Sequence, residues 1–308
     1  MLFTQFEFPI FFLCVLIAAW LCRGRQARNA VLLIASYYFY AYWDYRFCSL
    51  LALSTVVDYC IARGMVRSTG TTVRRALLMT SLVVNLGVLG FFKYFNFFID
   101  SASPALQAIG LSGETLNIIL PVGVSFYTFQ TLSYTIDVYR GVLKPVNRFL
   151  DFALYVAFFP QLVAGPIVRY HQVAEGLRNL SRFRLNAEAV SEAVIYLVVG
   201  LAFKVLIADS INHFSAPLVQ APQSLGATGL IALVYGYTFQ IYFDFYGYSL
   251  CAIGLGRLFG IRLPDNFLRP YSTLNPRDFW RCWHVSLSNF IREYMYIPLG
   301  GNERYIRN

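Results

Sequence analysis

An all-α, polytopic membrane protein is the fold class this 308-residue sequence predicts, and three observations predict it. Hydrophobic residues make up 57% of the chain and aromatic residues 18%, with only 13% charged and a mean hydropathy of +0.54; soluble domains carry far more charge. Apolar runs long enough for spans of about 20 residues recur along it. Basic residues gather in short clusters between those runs, as they do in cytoplasmic loops. The net charge of +9 is therefore topological, and nucleic acid is not an expected partner. No repeat or low-complexity linker divides the chain, so residues 1–308 are expected to pack as one transmembrane domain.

The first apolar run, residues 8–22, precedes Arg23, Arg25 and Arg28, which places the N-terminus outside and argues for a retained span over a cleaved signal peptide. Residues 29–43 and 47–62 are joined near Asp44 to Arg46 and followed by Arg63, Arg67, Arg74 and Arg75; basic ends on both sides predict a hairpin. Residues 76–95 lead outward to a loop with Asp100 and Glu114 that lacks Lys and Arg up to Asn117. The return run from Ile119 carries Gln130, Ser133 and Asp137 at helical intervals, a stripe that should face protein or water.

Residues 149–168 are apolar but flanked by cations on both sides, Lys144 and Arg148 before, Arg169, Arg178, Arg182 and Arg184 after. Pro160, Gly165 and Pro166 interrupt this run, so a re-entrant or sharply bent segment is expected. Residues 189–208 lead out to a loop holding Asp209 and His213, with Lys93 and Lys204 near the predicted external ends. The run from Leu225 to Ile261 is too long for a simple span and reads as two helices or one bent one. Its Gln240 and Asp244 lie at membrane depth, where a carboxylate is either paired inside the bundle or functional. The six cysteines, 14, 22, 48, 60, 251 and 282, have no metal-site spacing and read as small core residues.

Residues 275–301, after Arg257, Arg262 and Arg269, concentrate histidine, arginine and tryptophan before a Gly-Gly stop. At helical pitch Arg277, Arg281, His284, Ser288 and Arg292 share one face, and Phe279, Trp283, Phe290 and Tyr294 the other. An interfacial amphipathic helix is expected, its cations suited to phosphate on lipid headgroups or on an acyl donor. His284 has two readings, a hydrogen-bonded structural residue or a proton acceptor kept neutral by neighbouring arginines.

Six stretches together resemble the membrane-bound O-acyltransferase family, in its bacterial branch similar to alginate O-acetyltransferases. They are LLIASYYFYAYWD from Leu32, LGFFKYFNFFID from Leu89, LPVGVSFYTFQTLSYTIDVYRG from Leu120, FFPQLVAGPIVR from Phe158, QIYFDFYGYS from Gln240, and NFLRPYSTLNPRDFWRCWHVSLSNFIREYMYIPLGGN from Asn266. The resemblance implies a multi-helix bundle around a central tunnel, re-entrant segments, and a location in the bacterial inner membrane. It also implies an acyl thioester donor such as acetyl-CoA, no permanently bound cofactor and no metal. The implied partners are membrane lipids, a polysaccharide acceptor and a periplasmic acetyltransferase-type protein.

His284 matches the histidine of the family's Trp-His-x-Ser-Leu-Ser motif, with Arg281, Ser286, Ser288 and Arg292 as its neighbours and Asp137, Gln240 and Asp244 toward the tunnel. The chain departs from the pattern at Tyr246, Leu250 and Cys282, where a family member carries Ser, Asp and Arg. The family's second histidine, in a Gly-Leu-Trp-His-Gly tract, is expected beyond Asn308, so the chain is expected to lack the last spans; His171 and His213 read as loop residues. The implied reaction passes an acetyl group across the membrane for O-acetylation of an exopolysaccharide such as alginate. Two alternatives stand beside it, D-alanyl or other acyl transfer to an envelope polymer, and a non-catalytic transporter or conduit whose polar residues line a solute path.

Overall fold

A computed structural model describes residues 1–108, 116, 118–180 and 186–301. Among the described residues the regular structure is all helical: α1 Glu7–Leu21, α2 Arg25–Asp44, α3 Cys48–Arg67, α4 Thr71–Ala108, α5 Val124–Tyr139, α6 Phe149–Ala157, α7 Phe159–Leu162, α8 Tyr170–Asn179, α9 Ala187–Leu201, α10 Asp209–Gln220, α11 Ala227–Leu258, α12 Pro276–Cys282 and α13 Val285–Ile291. The segments Arg25–Arg67, Thr71–Pro104 and Ala187–Gln220 are long and apolar enough to cross a membrane. Large apolar side chains such as Ile34, Val83, Val198 and Leu206 are exposed along them, as expected of lipid-facing positions. This is a membrane protein.

The expected hairpin is α2 and α3, broken where extended Asp44 accepts a hydrogen bond from the Arg46 amide at 2.9 Å. Both free ends return to one end of the bundle. There Arg25 pairs with Asp151 at 3.0 Å, and Arg63 donates to the Asn147 carbonyl at 2.8 Å. Arg74 donates to the Tyr139 carbonyl at 2.7 Å, and Arg169 pairs with Glu293 at 2.5 Å. These four arginines thus converge from separate stretches of sequence onto a single end of the bundle, the pattern the positive-inside rule describes.

The bent segment is real and its bend is satisfied internally. Helix α6 stops at Ala157, non-helical Phe158 (φ −52°, ψ 107°) separates it from the single turn α7, and all of Phe152–Leu162 is buried. The Phe159 amide donates to Ser36 Oγ at 3.1 Å, the Val168 carbonyl accepts from the Tyr155 hydroxyl at 2.9 Å, and the Tyr155 carbonyl accepts from Gln130 Nε2 at 2.6 Å. Irregular backbone inside an apolar bundle survives because each freed group finds such a partner. Gly123, at φ 77°, is required at the start of α5, since a Cβ there would lie 2.5 Å from the Leu162 carbonyl oxygen.

Several expectations need correction. Of the two readings of residues 225–261, the two-helix one fails: Ala227–Leu258 is one continuous 32-residue helix, α11, whose glycines serve close packing. A Cβ on Gly247 would meet the Gly200 carbonyl oxygen of α9 at 2.6 Å, so the two helices approach as only small residues allow. Asp100 lies in the 38-residue α4 and not in a loop, and Asp209 and His213 lie in α10, reached from α9 through a π-helical stretch, Ala202–Ala208. His171 is likewise helical, in the first turn of α8. Of the cysteines only Cys251 is buried; Cys14 and Cys60 are exposed on helix surfaces. Glu114, Asn117, Arg182, Arg184 and Asn308 lie outside the described residues.

A polar seam runs between α3, α4 and α5. Asp58, fully buried, accepts from Ser81 and from Asn85 Nδ2 at 2.9 Å; Asn85 Oδ1 accepts from Ser54 at 2.5 Å. Neutral donors from neighbouring spans hold this carboxyl group, which the sequence reading passed over.

Candidate functional site

Residues 275–301 are not one amphipathic helix. Asn275 caps α12 by accepting from the Asp278 amide at 2.9 Å, with Pro276 at the first helical position, but the helix ends after seven residues. His284 stands between α12 and α13 with φ 42° and ψ 55°, the left-handed conformation that non-glycine residues seldom adopt. Holding a β-carbon there costs of order 1–3 kcal/mol, which surrounding contacts must offset.

Those contacts centre on Asn266. Its carbonyl accepts from the Val285 amide at 2.9 Å, its Oδ1 accepts from Ser286 Oγ at 2.6 Å, and its Nδ2 donates to Ser249 on α11 at 3.0 Å. Ser286 Oγ in turn accepts from the Ile167 amide in the turn after α7, at 3.0 Å. Buried Asn266 and Ser286 thereby clamp the kink between α11 and the bent segment. Ser286 has its hydrogen-bonding capacity engaged within the protein, so its place is beside the histidine as a support. Asn266 was missed as a site residue; a lone asparagine in a loop gives no signal until its three partners meet.

The kink reverses the expected relation between histidine and arginines. The His284 ring faces into the bundle, its centroid 4.7 Å from that of a perpendicular Phe245 on α11 and 6.3 Å from that of a stacked Phe126 on α5. Its Nδ1 is buried and has no hydrogen-bond partner among the described residues. Burial alone pushes its pKa down, to about 4, so the ring is neutral at pH 7; the arginines expected to have this effect are elsewhere.

They line an open cleft of about 740 Å³ on the other side of the segment, where Arg277, Arg281 and Arg292 meet Trp280, Ser288 and Asn289. Only Arg281 of the three is paired among the described residues, at 3.3 Å from Asp278 on an exposed surface. Ser288 donates to the Trp280 and Trp283 carbonyls at 3.2 Å, closing the end of α12 against α13.

The aromatic face flanks the bundle rather than lying on a bilayer surface. Trp283 packs on Phe267 at 5.1 Å, Phe290 on Phe129 at 4.9 Å, and Tyr294 donates to Asp137 at 2.9 Å. Contacts with Phe126, Phe129 and then Asp137 show residues 284–294 running alongside α5 in the same direction. Phe126 is eleven positions before Asp137, so His284 lies ~16 Å farther along α5 from the basic end of the bundle, at 1.5 Å per helical residue. No span is formed by this segment itself.

Asp244 and Gln240 sit one turn apart on α11, away from the arginine cleft. Asp244 pairs with Lys204 at 2.6 Å, and Lys204 also holds Asp209 at 2.7 Å. Gln240 accepts from Ser215 at 2.8 Å and donates to Asn212 at 3.0 Å. Asp244 is thus paired, but its side chain is half exposed and not enclosed inside the bundle as the paired reading expected. Its partner sits in the π-helical stretch, the irregularity that turns Lys204 toward α11. The chain therefore brings His284, Ser286 and Asn266 together, collects the arginines on the opposite side, ties Asp137 to Tyr294, and keeps Gln240 and Asp244 on a separate polar ridge. Among the described residues no cluster of three or more His, Cys, Asp or Glu side chains forms a metal site.

Residues 146–308, which include the broken segment and the whole Asn266–His284 clamp, match the sequence profile of MBOAT, the membrane-bound O-acyltransferase family. The chain belongs to that family. It is 41% identical over 98% of its length to a Pseudomonas aeruginosa protein named "Probable alginate O-acetylase AlgI", covering 58% of that protein. It is 37% identical over 88% of its length to the peptidoglycan O-acetyltransferase of Helicobacter pylori, covering 55% of it. Similarity to the teichoic acid D-alanyltransferase of Bacillus subtilis is 31% over 59% of the chain and 46% of the relative. The chain thus spans somewhat over half the length of the alginate and peptidoglycan relatives.

Proposed function

We propose that this membrane-bound O-acyltransferase chain binds an acyl thioester such as acetyl-CoA from the cytoplasm and passes its acetyl group across the inner membrane for O-acetylation of an envelope polysaccharide, alginate being the model. The observation that carries this reading is the unpartnered, buried Nδ1 of a neutral His284 deep in the bundle. A buried polar atom without a partner is costly, and a substrate group is the natural thing to satisfy it. On the opposite side of the same segment three arginines offer forked donors for phosphates. Charge is thus bound outside and chemistry is done inside.

In the reaction an acceptor hydroxyl attacks the thioester carbonyl carbon. His284 takes the hydroxyl proton, or shares it with another base; the C–O bond forms, the C–S bond breaks, and the departing thiolate accepts a proton. The bundle supplies the central tunnel that joins donor and acceptor sides, with Phe126 and Phe245 as apolar walls at His284. A periplasmic acetyltransferase-type partner would complete transfer to the polymer. The positive-inside rule favours a cytoplasmic basic end and, with it, a periplasmic N-terminus.

An acetyl donor is preferred to a D-alanyl donor because the acetylating relatives match at higher identity over more of the chain. The test is acetyl-CoA consumption and polymer acetylation by purified protein with its envelope partner, before and after His284→Ala. Loss of thioester cleavage supports the proposal. Undiminished cleavage, or solute flux in vesicles with no acyl chemistry, overturns it in favour of a conduit.

A further inference from the structure

The basic end of the bundle carries a second cationic cleft, separate from the arginine cleft of residues 277–292. It encloses about 530 Å³ between the start of α2, the linker from α5 to α6, and the end of α8. Four cations line it, Arg25, Lys144, Arg148 and Arg178, against the single carboxylate Asp151. That carboxylate is already taken, by Arg25 at 3.0 Å and by Asn29 Nδ2 at 2.8 Å. Among the described residues Lys144, Arg148 and Arg178 form no ion pair, and all three are exposed.

The linker that presents two of these cations is held rigidly. The Val146 amide donates to the Tyr134 hydroxyl at 2.9 Å, and the Asn147 carbonyl accepts from Tyr59 at 2.7 Å and Arg63 at 2.8 Å. Buried Val146 and Tyr170 line the same cleft. Three like charges held together on a fixed frame repel one another, and a counter-anion removes that cost. At the cleft's edge the chain also exposes Val142 and Phe149, 72% and 43% accessible, on either side of Lys144 and Arg148. Exposed apolar residues beside cations at the end of a membrane bundle mark the level where headgroup meets acyl chain.

We infer that this cleft binds the phosphate headgroup of an anionic phospholipid from the cytoplasmic leaflet. Arg148 and Arg178 supply forked contacts to phosphate oxygens, Lys144 a point charge, and the flanking apolar residues meet the first methylenes of the chains. Nothing in this inference depends on the acyl-transfer reading, because the cleft and His284 lie on different elements.

The test uses the whole chain in nanodiscs of phosphatidylcholine with or without phosphatidylglycerol, followed by detergent extraction and native mass spectrometry of retained lipid. The native protein should retain phosphatidylglycerol over phosphatidylcholine by about tenfold, a difference of ~1.4 kcal/mol, and the combined Lys144→Gln, Arg148→Gln and Arg178→Gln variant should retain them equally. Raised salt should release the lipid from the native protein, a readout that holds even if the combined variant folds poorly. Equal retention by the native protein, or an unchanged preference in the variant, overturns the inference. So does displacement of the lipid by millimolar inorganic phosphate or pyrophosphate that also stabilises lipid-free protein, which would assign the cleft to a soluble anion.

Discussion

The two sides of residues 276–301 handle charge in opposite ways. On one side Arg277, Arg281 and Arg292 stand around an open cleft; on the other a single imidazole is turned into aromatic surroundings, its Nδ1 unpartnered among the described residues. One residue with positive φ separates them. A continuous helix would have kept histidine and arginines on the same face, where water screens every interaction. The kink puts the two groups in different media, high dielectric at the arginines and low dielectric at the imidazole, which on the proposed reading suits reversible binding of a polyanion and movement of one proton.

The sharpest way to break this contrast is His284→Ala, expected to lower acyl transfer by at least ~100-fold while the protein stays monodisperse and helical. If turnover persists, the inward side is merely structural. Replacing Arg277, Arg281 and Arg292 together by Ala should raise KM for the donor by about tenfold, with much less effect on kcat. The rise should shrink in high salt, as it would for exposed charges; a fall confined to kcat would mean that the arginines act on the chemistry instead. Between the two sides lies the clamp, and Ser286→Ala should cost ~1–3 kcal/mol by leaving Asn266 Oδ1 and the Ile167 amide unpaired. An unchanged thermal midpoint in Ser286→Ala would show that the kink holds itself.

The smallest effect concerns pH. His284 is held below its unfolded value of 6.5, at about 4, by burial. As the pH falls below 6.5 the unfolded chain gains a proton that the folded one does not, so stability is full above 6.5 and is lost on the way down to about pH 4. His284→Asn should flatten this part of the stability profile, and the acid limb of acyl transfer should sit near pH 4. A limb at 6.5 in the native protein would place the imidazole in water, with the arginines.

Legibility in the sequence followed the range of the interaction. The α2 and α3 hairpin, the break near Pro160 and the basic end of the bundle come from local hydrophobicity, proline and charge, and each is found where those signals place it. The arginine cleft was half legible, since its members do share a side, but His284 was assigned to that side because helical projection assumes an unbroken helix. Nothing in Trp283-His284-Val285 announces a left-handed residue; Asn266, seventeen positions before Trp283, helps to stabilise it. Lys204, near a predicted external end, is the partner of Asp244. Asp58 could have been found by asking what any membrane-depth carboxylate is paired with.

Composition and charge order, read alone, determined that this chain is a helical membrane bundle with one cationic end, because burial in lipid selects apolar helices whatever their neighbours. The tertiary structure alone decided which polar groups meet. Pairing of Lys204 with Asp244, support of His284 by Asn266 and Ser286, and separation of imidazole from guanidinium all depend on helices brought together from distant parts of the chain. At the buried ones, around His284 and Asn266, the low-dielectric interior makes those meetings govern which groups carry charge and which remain neutral.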